Sequence, residues 1–341
     1  MRPLKVIGRG AVAGLAAMAV LATPARAETP IRFTLDWAIE GPAAPFLIAR
    51  DKGYFAEEGL NVTIDTGSGS IESINRVASR AYDMGFGDLS AAIRFNDQNP
   101  TTPIKPVYMV YNKPAFAIIG RKSRGVSSPA DLEGKTLGAP VTDASFTHWP
   151  IFAAENGIDP ATVAIQNVGF PVRVPLLAAG RVDAITGFTL SALFGVMASG
   201  IPEDDIVVMP LADHGLDLYG NAVIVSPAFA ADNQQAVEGF LRAFNRALKE
   251  TIDDPEAAID HVLAANALLD RETELAKLKL AIDQNIVTGE VRANGLGDVD
   301  TDRLNDAIDQ LDSVTAFSAK PQADIAFDPR FLPARQKRLV D

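Results

Sequence analysis

Two periodicities take turns along this chain, and that alternation leaves few folds open to it. Asn61-Val62-Thr63-Ile64-Asp65 alternates polar and apolar residues, the period of a half-buried strand, whereas Ile71, Ile74 and Val77 recur at the spacing of one helix face. Read this way, strands fall at 31–36, 61–65, 82–86, 107–111, 116–120, 136–139, 164–168, 184–187, 207–210 and 222–226. Helices fall between them at 45–52, 55–58, 71–79, 89–95, 130–133, 145–156 and 174–179. From 233 onward the pattern is mostly helical, at 233–251, 255–265, 270–286 and 300–313. Strands that alternate with helices pair in parallel, because each helix carries the chain back across a face of the sheet. An α/β fold of mainly parallel sheets flanked by helices follows. One unit (strand, loop of Gly, Ser or Thr, helix) occurs at 31–52 and 61–79, and again at 136–156 and 164–179. Two α/β lobes with a cleft between them account for the doubling. Ligands of such sheets sit at the carboxyl ends of strands, beside helix starts.

The first 27 residues read as an address and not as part of the fold. Arg2, Lys5 and Arg9 precede an apolar, Ala-rich run at 10–23, Pro24 breaks it, and Ala25-Arg26-Ala27 has the small-x-small pattern of a cleavage site. The expectation is a secretory signal peptide over 1–27, cut before Glu28. The run is shorter than the roughly 20 apolar residues that span a bilayer. A lipid anchor needs a cysteine, and the chain has none. Loss of Arg2, Lys5, Arg9 and Arg26 takes the net charge of −12 to −16. An exported, soluble product is expected.

Composition then excludes several functions. Acidic residues outnumber basic ones 43 to 31, the wrong balance for neutralising nucleic-acid phosphates. Without cysteine there is no thiol nucleophile, thiolate metal site or iron–sulfur cluster. The three histidines, His148, His214 and His261, are too scattered for a local metal motif. No Walker loop, GxGxxG, GxSxG, HExxH or Ser-x-x-Lys set occurs, so no cofactor, metal or catalytic residue is expected.

The polar helix starts are the candidates for chemistry. Gly67-Ser68-Gly69-Ser70 opens a helix with two flexible positions and two hydroxyls, and free N–H groups at a helix start favour an anion or acceptor atom. A capped turn explains the same residues. Val141-Thr142-Asp143-Ala144-Ser145 occupies the matching place in the middle of the chain, where Thr142, Asp143 and Ser145 are natural caps. Trp37 stands just past the first strand, placed either to stack on a flat ligand or to pack in the core. Trp149 lies in an apolar helical run and reads as core. Asp88 caps the next helix or accepts a ligand N–H. Arg173, just before a helix, either meets an anion or lies solvated on the surface, the usual place of a lone Arg. Tyr219 and Asn221 flank the last middle-lobe strand.

Several stretches together resemble a known family. Leu35-Asp36-Trp37, then Lys52-Gly53-Tyr54-Phe55 and Gly59-Leu60, Asp131-Leu132-Glu133-Gly134-Lys135, and Gly180-Arg181-Val182-Asp183-Ala184 match, in order and spacing, the solute-binding proteins of the nitrate/sulfonate/taurine and thiamine-pyrimidine-precursor group. The resemblance implies a two-lobed, type II-like periplasmic binding protein fold with its ligand in the interlobe cleft. It also implies a monomer that delivers a small solute to an ABC permease in the inner membrane. One lobe would comprise 28–112 and 228–341, the other 113–227. The family's ligand loops fall on Trp37, Glu40, Ser68, Gly69, Ser70, Asp88, Thr142, Ser145, Phe188, Tyr219 and Asn221. Asp36-Trp37 and the stretch from Gly169 to Pro175 resemble the pyrimidine-precursor branch, in which Trp37 would stack on the ring and Glu40 or Asp88 would accept its N–H groups. In the sulfonate, nitrate and taurine branch, the 67–70 turn and Arg173 would hold a small anion. The fungal pyrimidine synthases of the same superfamily carry a histidine where Ala43 stands and a cysteine-rich motif, and both are missing from this sequence.

Overall fold

The computed structural model describes Met1 and residues 28–340, so the expected leader falls outside the described residues. Among the described residues, ten strands form two five-stranded sheets. The first contains β1 (Thr29–Thr34), β2 (Leu60–Asp65), β3 (Met84–Asp88), β4 (Lys105–Met109) and β10 (Asn221–Val225), in the order β2-β1-β3-β10-β4. The second contains β5 (Phe116–Arg121), β6 (Thr136–Ala139), β7 (Ala164–Asn167), β8 (Ala184–Phe188) and β9 (Ile206–Pro210), in the order β7-β6-β8-β5-β9. The two orders correspond position for position. In each sheet one strand runs against the other four: β10 is antiparallel to β3 and β4, and β5 to β8 and β9. These reversed strands are the ones that arrive from the opposite sheet.

The chain passes from the first sheet to the second after β4 and returns before β10. The sequence placed the return near 227, with 222–226 in the second lobe. The structure moves it ahead of Asn221, because β10 is fully buried and pairs from Asn221↔Asp88 to Val225↔Met84. The strand was visible in the sequence; its sheet was not. The C-terminal region also departs from a single-lobe assignment. Helix Gln234–Asp253 packs on the first sheet, with Phe240 and Phe244 stacked on Phe33 and Phe46 at centroid distances of 5.2 and 4.4 Å. Helix Thr301–Thr315 instead reaches the second lobe, where Leu304, Ile308 and Leu311 share one core with Trp149 and Phe152.

Prolines explain where local expectation and structure part. The helix expected over 145–156 is two, Ala144–Thr147 and Trp149–Glu155, because Pro150 fits only the first turn of a new helix. The helix expected to begin at 174 begins at Phe170, with Pro171 in its first turn and Pro175 inside it. Two single-turn π-helices, Thr189–Leu193 and Ile282–Ile286, had no sequence signal. Arg303 ties the two crossing segments together: it donates to the carbonyls of Asn112 (3.2 Å) and Leu218 (2.9 Å) and pairs with Glu290 (2.9 Å).

Candidate functional site

The carboxyl ends of β1 and β8 and the helix starts beside them face each other across a cleft of about 700 Å³, its open mouth included. Its walls carry the rings of Trp37, Phe46, Phe86 and Tyr111 from the first lobe and of Phe170 and Phe188 from the second. Trp37 and Phe170 meet across the gap with centroids 5.1 Å apart and planes at 60°, so an aromatic pair bridges the lobes. Gly69 lies below the same contact in a backbone conformation (φ 113°) that a side chain would strain.

Several N–H groups of the polar helix starts are already held by the protein's own acceptors, whereas the buried hydroxyls of Ser70 and Ser145 have no hydrogen-bond partner among the described residues. In the 67–70 turn, Gly67 N–H donates to Trp37 O (3.2 Å), Gly69 N–H to Asp36 O (2.6 Å), and Ser68 N–H to the Glu72 carboxylate (2.6 Å). At the matching place in the second lobe, the buried Asp143 accepts from Ser145 N–H (3.1 Å), Thr186 Oγ1 (3.0 Å) and Arg173 Nη1 (3.1 Å). Arg173 is therefore no surface group. It is 5% exposed, lines the cleft and lies 5.2 Å from the Phe170 ring. Burial pulls its pKa down, and the charges of Asp143 and Glu40 oppose that pull.

The acids of the first-lobe wall differ from one another. Glu40 stands 3.3 Å from Lys277, which also pairs with Glu274 at 2.8 Å, and Glu274 accepts Gly41 N–H at 2.6 Å. Burial raises the Glu40 pKa, opposed by Lys277 and by a hydrogen bond from the Trp37 indole. Asp36 accepts from Asn221 Nδ2 at 2.7 Å, and its carboxyl is pushed up to about 7, chiefly by burial.

Of the residues singled out in the sequence, Trp37, Glu40, Gly69, Ser70 and Phe188 line the cleft. The others lie outside its lining. Ser68 is exposed, and Thr142 is exposed with its carbonyl facing Gly69. Asp88 is wholly buried, caps Ala91 N–H at 2.7 Å and lies 3.7 Å from His148 Nε2 of the opposite lobe. Ser145 is buried, and Tyr219 is buried with its hydroxyl on Glu290 at 2.8 Å. Asn221 acts through Asp36. Sequence reasoning did not name Asp36, Tyr111 or Phe170 as ligand-binding residues, and it gave Asp143 only as a cap and Arg173 only as an anion holder in the sulfonate branch; all five line the cleft. Asp36 had a signal in its place beside Trp37 at a strand end, and Arg173 in its place at a helix start. Among the described residues, no cluster of acids and histidines has the geometry of a metal site, and no helix is long and apolar enough to cross a membrane.

The model of the NMT1/THI5-like family matches residues 42–258. The riboflavin-binding protein RibY of Chloroflexus aurantiacus is 25% identical over 298 residues, covering 85% of this chain and 82% of that one. The formylaminopyrimidine-binding protein of Halalkalibacterium halodurans is 25% identical over 259 residues, 74% and 77% of the two chains. A 4-amino-5-hydroxymethyl-2-methylpyrimidine phosphate synthase of Aspergillus parasiticus is 25% identical over 239 residues, 67% and 69% of the two. The alkanesulfonate-binding protein SsuA of Xanthomonas axonopodis pv. citri, solved with MOPS, superposes with a TM-score of 0.65 at 14% identity over 88% of this chain and 98% of that one. The architecture is that of the periplasmic binding proteins.

Proposed function

The chain belongs to the NMT1/THI5-like family, and from that premise we infer that it is the solute-binding component of an ABC importer. Exported to the periplasm, it closes its two lobes on a small flat heterocycle of the pyrimidine type and delivers it to an inner-membrane permease. The observation that carries this reading is the aromatic cleft, with Trp37 on one lobe and Phe170 on the other close enough to touch. Rings on both walls reward a flat ligand with stacking and leave little for an aliphatic one. Two relatives whose names specify flat heterocycles, riboflavin and a formylaminopyrimidine, support the same class.

Nitrate, taurine or an alkanesulfonate is the second reading, and likeness to SsuA speaks for the fold it needs. A synthase is the third. Against it stands Ala43, a methyl group in the cleft lining at the place where the fungal synthases carry histidine. His148 is fully buried and outside that lining.

Mass spectrometry of ligand released from the purified protein, with calorimetry against a formylaminopyrimidine, riboflavin, taurine and nitrate, tests the proposal. A pyrimidine should bind tightest and unchanged. Small-angle scattering should show compaction on its addition, since two crossings between the lobes permit a hinge motion. An anion as the tightest ligand, turnover of the heterocycle, or an unchanged radius at saturation would each count against it.

A further inference from the structure

Charge is the property of the cleft that stacking leaves unused. Its lining cation, Arg173, is buried against Asp143 at 3.1 Å. Lys277, reaching in from helix Arg271–Ala281, is held between Glu274 and Glu40. The N–H groups of Gly67, Ser68, Gly69 and Ser145 donate to protein oxygens. The two cations and these four N–H groups thus have acceptors on them already, and what the first-lobe helix start leaves over is the uncharged, buried Ser70 hydroxyl. Asp36 is the reverse case. It lines the cleft, it accepts from one amide, and among the described residues no cation pairs with it.

We propose that Asp36 sets the ligand class: it receives an amino group beside a ring nitrogen on an uncharged or cationic heterocycle, and it turns away sulfonates and other anions. The proposal rests on the heterocycle reading above and sharpens it. The groups facing Asp36 agree with it. Burial raises its pKa, with smaller pushes from Glu40 and Asp88, while the Asn221 amide and the backbone N–H of Asp36 itself oppose them. Tyr111, beside it, has its own pKa raised well above the ordinary value by burial, so it stays neutral. With the carboxyl at about 7, Asp36 exchanges between acid and carboxylate near neutral pH. The acid donates one O–H and accepts through its other oxygen; the carboxylate only accepts. A ring nitrogen beside an amino group asks for both roles, so the pair shares one proton. Above pH 7 that proton must come from solvent. Affinity then falls by about tenfold per pH unit, as linkage of one proton to binding requires.

Calorimetry with a formylaminopyrimidine and with MOPS, on wild type and Asp36→Asn at pH 6, 7 and 8.5, tests this. For wild type, pyrimidine affinity should fall at least tenfold from pH 7 to 8.5, and this measurement needs no variant. In Asp36→Asn the same span should change affinity by less than about threefold, because an amide does not titrate here. At pH 8.5 the variant should bind MOPS about tenfold or more tighter than wild type, since a like charge a few ångströms away has gone. A wild-type pyrimidine affinity that is flat with pH, or equal MOPS binding in the two proteins, overturns the role of Asp36 and leaves the heterocycle reading standing. If neither protein binds the pyrimidine while the MOPS gain persists, the heterocycle reading falls and the rejection of anions by Asp36 stands.

Discussion

Asp36 and Asp143 hold corresponding positions in two like lobes, each a few residues beyond the strand second from the edge of its sheet, and they have come to opposite ends. Asp143 is 3% exposed and meets three donors, one of them a guanidinium. Asp36 meets one amide and opens on the cleft. The fold supplies the same place twice. The partners decide whether the carboxyl there is a structural staple or a group free to meet a ligand. A buried ion pair contributes little net stability but becomes costly once one member is removed.

The largest test turns one acid into the other. Arg173→Met leaves Asp143 buried with an unmatched charge and should lower the unfolding free energy by about 3–5 kcal/mol, read from urea denaturation. Adding Asp143→Asn should restore much of it. A loss below about 1 kcal/mol, the range of an exposed pair, would erase the contrast between the two acids. Next in size is the aromatic bridge. Trp37→Ala should weaken a flat heterocycle by roughly tenfold or more, the sum of a stacking contact and lost burial. Phe170→Ala should cost less, because Phe188 remains on that wall. Equal losses would mean that both lobes grip the ring alike, and tight taurine binding that survives Trp37→Ala would defeat the stacking idea.

The smallest effect concerns His148, which faces Asp88 across the lobes with Arg94 and Asp143 nearby. Burial lowers its pKa, outweighing the Asp88 carboxylate. The unfolded chain therefore takes up this proton first. The contribution of neutral His148 is complete above about pH 6.5 and is lost as pH falls through its lower folded value. Asp36, with its raised pKa, slopes the other way: it gains stability on acidification through 7. The difference in melting temperature between wild type and His148→Leu from pH 7.5 to 5.5 isolates the histidine, and the variant should lose less on acidification. Parallel curves would remove His148 from the account.

The sequence carried the strand pattern of both lobes because the strands are short, most are apolar or alternate polar with apolar residues, and turn residues bound them. Helix 255–265 was equally legible, with Pro255 in its first turn and Asp254 capping Ala257 N–H at 3.0 Å. What escaped depends on contacts between distant residues. Asp36 is 185 positions from Asn221, and Lys277 reaches Glu40 from the last third of the chain. Arg173 looked solvated because its shield, Asp143 and Phe170, assembles only when β6 and helix Phe170–Ala178 come together. The 67–70 turn looked open to an anion because Glu72, four residues on from Ser68, also reads as an ordinary surface acid. Pro171 hid the first turn of a helix whose remainder, with Pro175 inside it, was expected at 174–179.

The Arg303 clasp has a consequence for how such a molecule can move. Two separate ribbons joining two bodies permit bending, twisting and sliding, each with its own axis. Here one guanidinium holds the carbonyl of Asn112 in the outgoing ribbon and that of Leu218 in the returning one. Stitched side by side, the ribbons are coupled through one side chain. A motion that draws the lobes together must therefore carry both ribbons along, because either one moving alone would break a hydrogen bond to Arg303.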